Sequence, residues 1–216
     1  MVDIVIIGVG GNSLDVIDLI YDINRHSQGE YRVIGFLDDN EELKGKVFNG
    51  YEVIGCLADA KYLEYEVNFA LSIGSENSFK YKRAIFEDLQ LEKNRFPNLI
   101  HPNVVISKFA NLGVGNIIFP NSVIHSNVYI GDFNIFLSNT IINHDCRIGS
   151  FVTCASSVTF AGGVLIEDSC FIGLGSAIRN NVKISSNTLI GMKSNVLQNS
   201  NTNDILYGNP ARVKRF

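Results

Sequence analysis

From Ile106 to Val196 an apolar side chain returns at every sixth residue: Ile106, Leu112, Ile118, Ile124, Ile130, Phe136, Ile142, Ile148, Cys154, Phe160, Ile166, Ile172, Ile178, Ile184, Ile190 and Val196. Four residues after each comes a second series, running from Ala110, Asn116 and Ser122 to Thr188, Ser194 and Ser200, whose members are all small or β-branched. The fifth place of one hexad and the first place of the next are two residues apart, so a short strand turns both to the same side. A helical stripe repeats at 3.6 residues and cannot follow this period without insertions. The pattern therefore predicts a coil of very short strands with two inward positions per hexad, the others facing outward or forming corners. Many corner places hold Asn, which tolerates left-handed backbone.

Before this run the pattern changes. Asp3 to Ile7 is a short buried-strand run, followed by the turn Gly8-Val9-Gly10-Gly11-Asn12-Ser13 and an amphipathic stretch with Leu14, Ile17, Ile20 and Tyr21 on one side. Tyr31 to Leu37 and Val67 to Ile73 read as further strands, ending in Asp38-Asp39 and Gly74-Ser75, while Leu57 to Leu63 and Ser78 to Leu89 read as helices. Alternating strands and helices indicate a small parallel sheet, half of a Rossmann-like domain, with ligands at the carboxyl ends of its strands.

Charge divides the chain at the same place. Of 40 charged side chains only nine lie between Ile106 and Asn201. Such a segment cannot be a set of surface helices, which need a charged face opposite the apolar one. The boundary falls near Pro97 to Pro102, giving an α/β domain at 1–100 and a repeat domain at 101–216. A net charge of −4, with no basic cluster beyond Arg212, Lys214 and Arg215, argues against nucleic acid as a partner. Apolar runs far shorter than the roughly 20 residues of a membrane span point to a cytoplasmic protein. Cys56, Cys146, Cys154 and Cys170 form no C-x-x-C pair, and the last three occupy inward positions, as buried thiols would.

The Gly turn is an incomplete dinucleotide fingerprint, because Ser13 stands at its third Gly and about a hundred residues supply one mononucleotide-binding half rather than two, which weighs against NAD. A helix N-terminus reached through Gly10, Gly11 and Asn12 still favours a phosphate, so a nucleotide-sugar is the natural smaller ligand, with Asp38, Asp39 and Gly74 at the neighbouring strand ends; the alternative is a tight turn that holds no ligand. Among the histidines, His26 and His101 read as surface or hinge residues. His144 is the third residue of its hexad, at a corner from which a side chain can project. His125 stacks beside Asn143 at eighteen residues per coil, one coil from His144, and is either a substrate contact or part of a polar face. His125 and His144 are too few for a three-His zinc site, so no metal is expected.

Four motifs together carry a resemblance over nearly the whole chain: Gly8-Val9-Gly10-Gly11, Phe36-Leu37-Asp38-Asp39, Asn143-His144-Asp145-Cys146 and Gly208-Asn209-Pro210-Ala211-Arg212. With the hexads, they make the sequence similar to the sialic acid O-acyltransferase and UDP-4-amino-sugar N-acetyltransferase family of hexapeptide-repeat acetyltransferases. The resemblance implies a nucleotide-sugar-binding α/β domain before a left-handed parallel β-helix with three hexads per coil, an exception to the right-handed crossover rule. It implies acetyl-CoA as co-substrate, a homotrimer, His144 as general base and Asp145 as its partner. It also implies a Gly162 backbone N–H for the oxyanion, and Thr153, Leu174 and Met192 along the acetyl-CoA groove, with Arg212, Lys214 and Arg215 near CoA phosphates or simply solvated. Thr153 stands where some members have His. Many members continue the Gly turn with His-Gly-Lys where this chain has Asn12-Ser13-Leu14, so nucleotide and sugar stay open. The implied reaction is N-acetylation of a nucleotide-linked amino-sugar. The alternatives are O-acetylation of a sugar hydroxyl such as that of sialic acid, a serine-acetyltransferase-like activity, or a β-helix that only binds.

Overall fold

The computed structural model describes residues 1–27 and 29–214. Its N-terminal part is a five-stranded sheet in the order β3-β4-β2-β1-β5, built from β1 (Val2–Ile7), β2 (Tyr31–Leu37), β3 (Val47–Phe48), β4 (Tyr51–Gly55) and β5 (Asn68–Leu71). All pairings are parallel except β3 with β4. Helix α1 (Gly11–Ser27) buries Val16, Ile17, Leu19, Ile20 and Ile23 against the sheet. Tyr21, expected on that side, is exposed and lies under the Arg25 guanidinium instead.

Two helices expected from the sequence shrink. Leu57–Tyr62 is a 3₁₀ turn, and only Lys82–Leu89 of the later stretch is α-helical (α2), after a 3₁₀ turn at Phe79–Tyr81. Alternation does not predict the β3–β4 hairpin. Its turn is Asn49-Gly50, with φ of 46° and 87°, the two positive angles that a tight twisted hairpin demands.

The repeat domain is the left-handed parallel β-helix. Two-residue strands run from β6 (Leu99–Ile100) to β22 (Asn195–Val196) and stack into three sheets at an eighteen-residue step. The first face stacks Ile100, Ile118, Phe136, Cys154, Ile172 and Ile190, the second Ile106 to Val196 through Ile142, and the third Leu112 to Ile184 through Ile148. Both inward series are buried apart from the half-buried Ile106, Ala110 and Leu112 at the first coil, and their core includes Cys146, Cys154 and Cys170, whose thiols burial pushes up. The first rung is Leu99–Ile100, one hexad before Ile106. The period ends after Ser200, where Ile190 pairs with Leu206, sixteen residues on, in a terminal hairpin of β23 (Ile205–Gly208) and β24 (Ala211–Val213).

The α/β domain sits on the first face. Outward Ile117 and Ile135 join the α1 core, while corner residues Phe133 and Phe151 stack at 5.2 Å and pack with Phe86, Phe133 lying 4.1 Å from it. Arg83 pairs with Asp168 and Lys93 with Asp132 across the seam, at 2.6 and 2.7 Å. These exposed pairs add little by themselves. The same carboxylates also accept the Ser150 and Val114 backbone N–H groups, which ties the pairs to successive coils. Among the described residues no helix is long and apolar enough to cross a membrane.

Candidate active site

The first candidate site is the Gly turn between β1 and α1. Gly8 has φ of +89°, and a Cβ there would lie 2.7 Å from the Ile73 side chain, so the turn requires glycine. At Gly10 and Gly11 a Cβ would meet nothing within 4 Å, which leaves open space over the start of α1. Ser13 replaces the third fingerprint Gly and is buried. Its hydroxyl donates to Gly10 O and accepts from Gly10 N–H, locking the turn. The Ser13 and Leu14 N–H groups bond Gly10 O, so those of Gly11 and Asn12 are the ones a helix start presents to an anion. The cavity here is about 470 Å³ and is lined by Gly10, Gly11, Asn12, Asp38, Ser72 and Gly74 among others. Asp38 accepts the Val9 and Asn40 N–H groups, closing one wall. Asp39 turns away to accept Leu57 N–H and lines a different depression.

The second site lies on the edge between the second and third faces, the edge opposite the docked α/β domain. From Gly115 to Lys193 each hexad turns its corner with a left-handed residue at the fourth place, among them Asn121, Asn127, Phe133, Asn139, Asp145 and Phe151. In an extended strand His144 and Asp145 would point to opposite faces. With Asp145 at φ 63° both project from the edge, and His144 Nδ1 lies 2.8 Å from Asp145 Oδ2. Asp145 Oδ1 accepts from Asn127 Nδ2 at 3.2 Å. The hydrogen bonds from His144 and from Asn127 hold the Asp145 carboxyl below the usual carboxylate range, against the opposing effect of burial. Gly162 is buried beneath the imidazole, where a Cβ would lie 2.7 Å from Nε2. Below it, Gly163 N–H donates to His144 O at 2.9 Å, holding the corner to the next coil. The dyad is exposed, which suits a base that must meet two substrates.

Residues 3–89 match the family model described as the PglD N-terminal domain, and residues 121–156 match the bacterial transferase hexapeptide model of six repeats. The GDP-perosamine N-acetyltransferase of Escherichia coli O157:H7 is 31% identical over 179 residues, 82% of this chain and 78% of that protein. The chain belongs to the hexapeptide-repeat sugar acetyltransferases. Among solved structures, PerB from Caulobacter crescentus in complex with CoA and GDP-perosamine is 25% identical, with a TM-score of 0.83 over 99% of this chain and 97% of that one. The acetyltransferase domain of PglB from Neisseria gonorrhoeae FA1090 has the same fold, with a TM-score of 0.84 at 23% identity over 98% and 99% of the two chains.

In this acetyltransferase the other expected site residues do not all converge within one chain. Gly162 is with His144. His125 is exposed one coil from Asn143, with its backbone N–H bonded to Ile142 O. Leu174 and Met192 are exposed and stacked on a different edge, between the first and second faces. Thr153 is buried on the first face beneath the α/β domain. A Cβ at Gly74 would lie 2.5 Å from its hydroxyl, which has no hydrogen-bond partner among the described residues. As it stands Thr153 offers no surface to a groove. Arg212 is exposed and bonds Ala211 O, and Lys214 lies 5.5 Å over the Tyr207 ring, while Arg215 falls outside the described residues. Asn127, which the sequence motifs do not single out, hydrogen-bonds Asp145 of the dyad. The period carries that signal, since Asn127 precedes Asp145 by one full coil.

Proposed function

We propose that this acetyltransferase moves the acetyl group of acetyl-CoA to the amino group of a sugar carried on a nucleoside diphosphate. The observation that carries the reading is the His144–Asp145 dyad on the prism edge, its ring resting on Gly162. The anion-favouring turn at Gly10 to Asn12 supplies the place for the diphosphate. That both relatives named above with 25% identity or more handle GDP-perosamine, by their names or complexes, makes a GDP-linked amino-sugar the first acceptor to try.

In the proposed reaction Asp145 accepts the Nδ1 proton of His144 in a hydrogen bond, leaving Nε2 to take a proton from the sugar amine as its nitrogen attacks the thioester carbonyl. The C–N bond forms, and the oxyanion of the tetrahedral intermediate is held by the Gly162 backbone N–H. The intermediate then collapses, the C–S bond breaks, and the CoA thiolate takes the proton back from His144. Nε2 ends free for the next cycle.

The arrangement also favours a homotrimer. The Gly-turn cavity lies on the first-face side and His144 on the opposite edge, with a packed core between them. Leu174 and Met192 occupy yet another edge. A neighbouring copy would bring one edge with Leu174 and Met192, and one α/β domain, to another copy's His144. The outward row of the second face, Val105, Val123, Ile141, Thr159 and Ala177, is uncharged, as such contacts need. The chemistry is tested by free-thiol release from acetyl-CoA with GDP-, UDP- and dTDP-linked 4-amino-sugars and with free sialic acid. Release with sialic acid alone would move the assignment to O-acetylation.

A further inference from the structure

We propose that Asn127 is a positioning residue of the transfer, orienting the Asp145 carboxylate from the neighbouring coil so that it holds His144 protonated on Nδ1 and leaves Nε2 free. The inference rests on the reading of His144 as the base and adds a group to that machinery.

Asn127 and Asp145 are the fourth residues of hexads one coil apart, with φ of 60° and 63°, so their side chains leave the edge in the same direction. Asp145 N–H donates to Ser126 O at 3.1 Å, which fixes the spacing of the two corners. The two carboxylate oxygens then have separate tasks: Oδ1 takes the Asn127 amide at 3.2 Å and Oδ2 faces His144 Nδ1 at 2.8 Å. An amide nitrogen can only donate, so this geometry suits an ionised carboxylate. An ionised carboxylate can only accept, which puts the proton on Nδ1. The ring cannot tilt inward to escape this pairing, because Gly162 lies beneath it.

The need for such a group follows from exposure. The His144 and Asp145 side chains are 66% and 57% exposed, and a hydrogen-bonded pair so open to water gains little by attraction alone while losing the entropy of two side chains held in one geometry. Anchoring one oxygen removes the carboxylate's freedom to rotate away. Asn is also favoured at these corners for backbone reasons alone, as Asn121 and Asn139 show. The test must therefore separate the amide from the corner.

Asn127→Gly keeps the left-handed corner accessible and deletes the amide. Asn127→Asp keeps the corner and sets a second carboxylate beside Asp145. For both variants we expect turnover to fall between about 10- and 100-fold, the scale of a misplaced reacting group, with the KM values for acetyl-CoA and acceptor unchanged. Nitrogen-15 spectra of His144 should show the Nδ1–H form giving way to a mixture, and the Asp145 carboxyl should titrate at higher pH, since a hydrogen bond to its charged form is lost. Wild-type turnover together with a wild-type His144 spectrum in Asn127→Gly would overturn the proposal. His144→Ala run in parallel separates the two ideas. If it abolishes turnover while Asn127→Gly does not change it, only the role of Asn127 fails. If His144→Ala itself keeps wild-type turnover, the base assignment fails.

Discussion

A methyl group at Gly162 would lie 2.6 Å from His144 Cε1, so Gly162→Ala must push the imidazole off its seat or bend the coil. The expected outcome is a loss of turnover of about 10²-fold, the cost of roughly an ångström of misplacement, with little change in the thermal midpoint, because the site is at the edge of the core. His144→Ala should lower turnover by about 10²–10⁴-fold, as removal of a general base does, again without loss of folding. Stopped assays of thiol release with saturating acetyl-CoA check both. The motif Asn143-His144-Asp145-Cys146 points to His144, but strand geometry does not yield the contact between these neighbouring side chains. It depends on the left-handed backbone at Asp145, one instance of a corner repeated from Gly115 to Lys193.

At the scale of the element, the six-residue period makes the strands, their register and the buried thiols legible in the sequence. It fails where the period itself stops: Leu206 takes the place beneath Ile190 two residues early, because the chain leaves the coil for a hairpin. The Asn49-Gly50 hairpin is written in the sequence as a turn signal rather than as alternation. The 3₁₀ turn at Leu57–Tyr62 reads as a helix because Leu57, Ala58, Ala60 and Tyr62 fit either geometry. Phe133 and Phe151 show the opposite case, bulky residues holding corners that suit Asn. Their left-handed backbone costs on the order of 1–2 kcal/mol each, and stacking under Phe86 offsets it. Phe133→Ala should therefore destabilise the protein by about 3–5 kcal/mol, measured by denaturant unfolding, with an intact dyad in whatever fraction stays folded.

For the whole molecule the seam between the domains matters most. Lys82, at the start of α2, is fully buried and its Nζ has no hydrogen-bond partner among the described residues. Burial drives its pKa from 10.5 to about 7, slightly opposed by the Cys154 thiol. The folded value lies below the unfolded one, so between about pH 7 and 10.5 the unfolded chain binds a proton that the folded chain does not, and stability rises with pH across that window. Lys82→Met should flatten that rise and stabilise the protein at pH 7 by about 1–3 kcal/mol, read from thermal midpoints over the pH range. No periodicity marks Lys82, because its burial comes from docking of one domain on another. The same holds for the divided site: Leu174 and Met192 follow His144 by 30 and 48 residues, neither a multiple of eighteen, so the period already places them on another edge. In the proposed trimer a second copy joins the edges. Light scattering should give a trimer, and a monomer at assay concentration would remove the shared site.

The most direct test of the central claim is thiol release from acetyl-CoA with a GDP-linked 4-amino-sugar as acceptor, comparing the wild type with His144→Ala and identifying the product by mass. The wild type should make an N-acetylated nucleotide-sugar, and turnover in the variant should be lower by about 10²–10⁴-fold. Equal turnover by the two proteins, or no acetylated product from any nucleotide-linked amino-sugar, would contradict that claim.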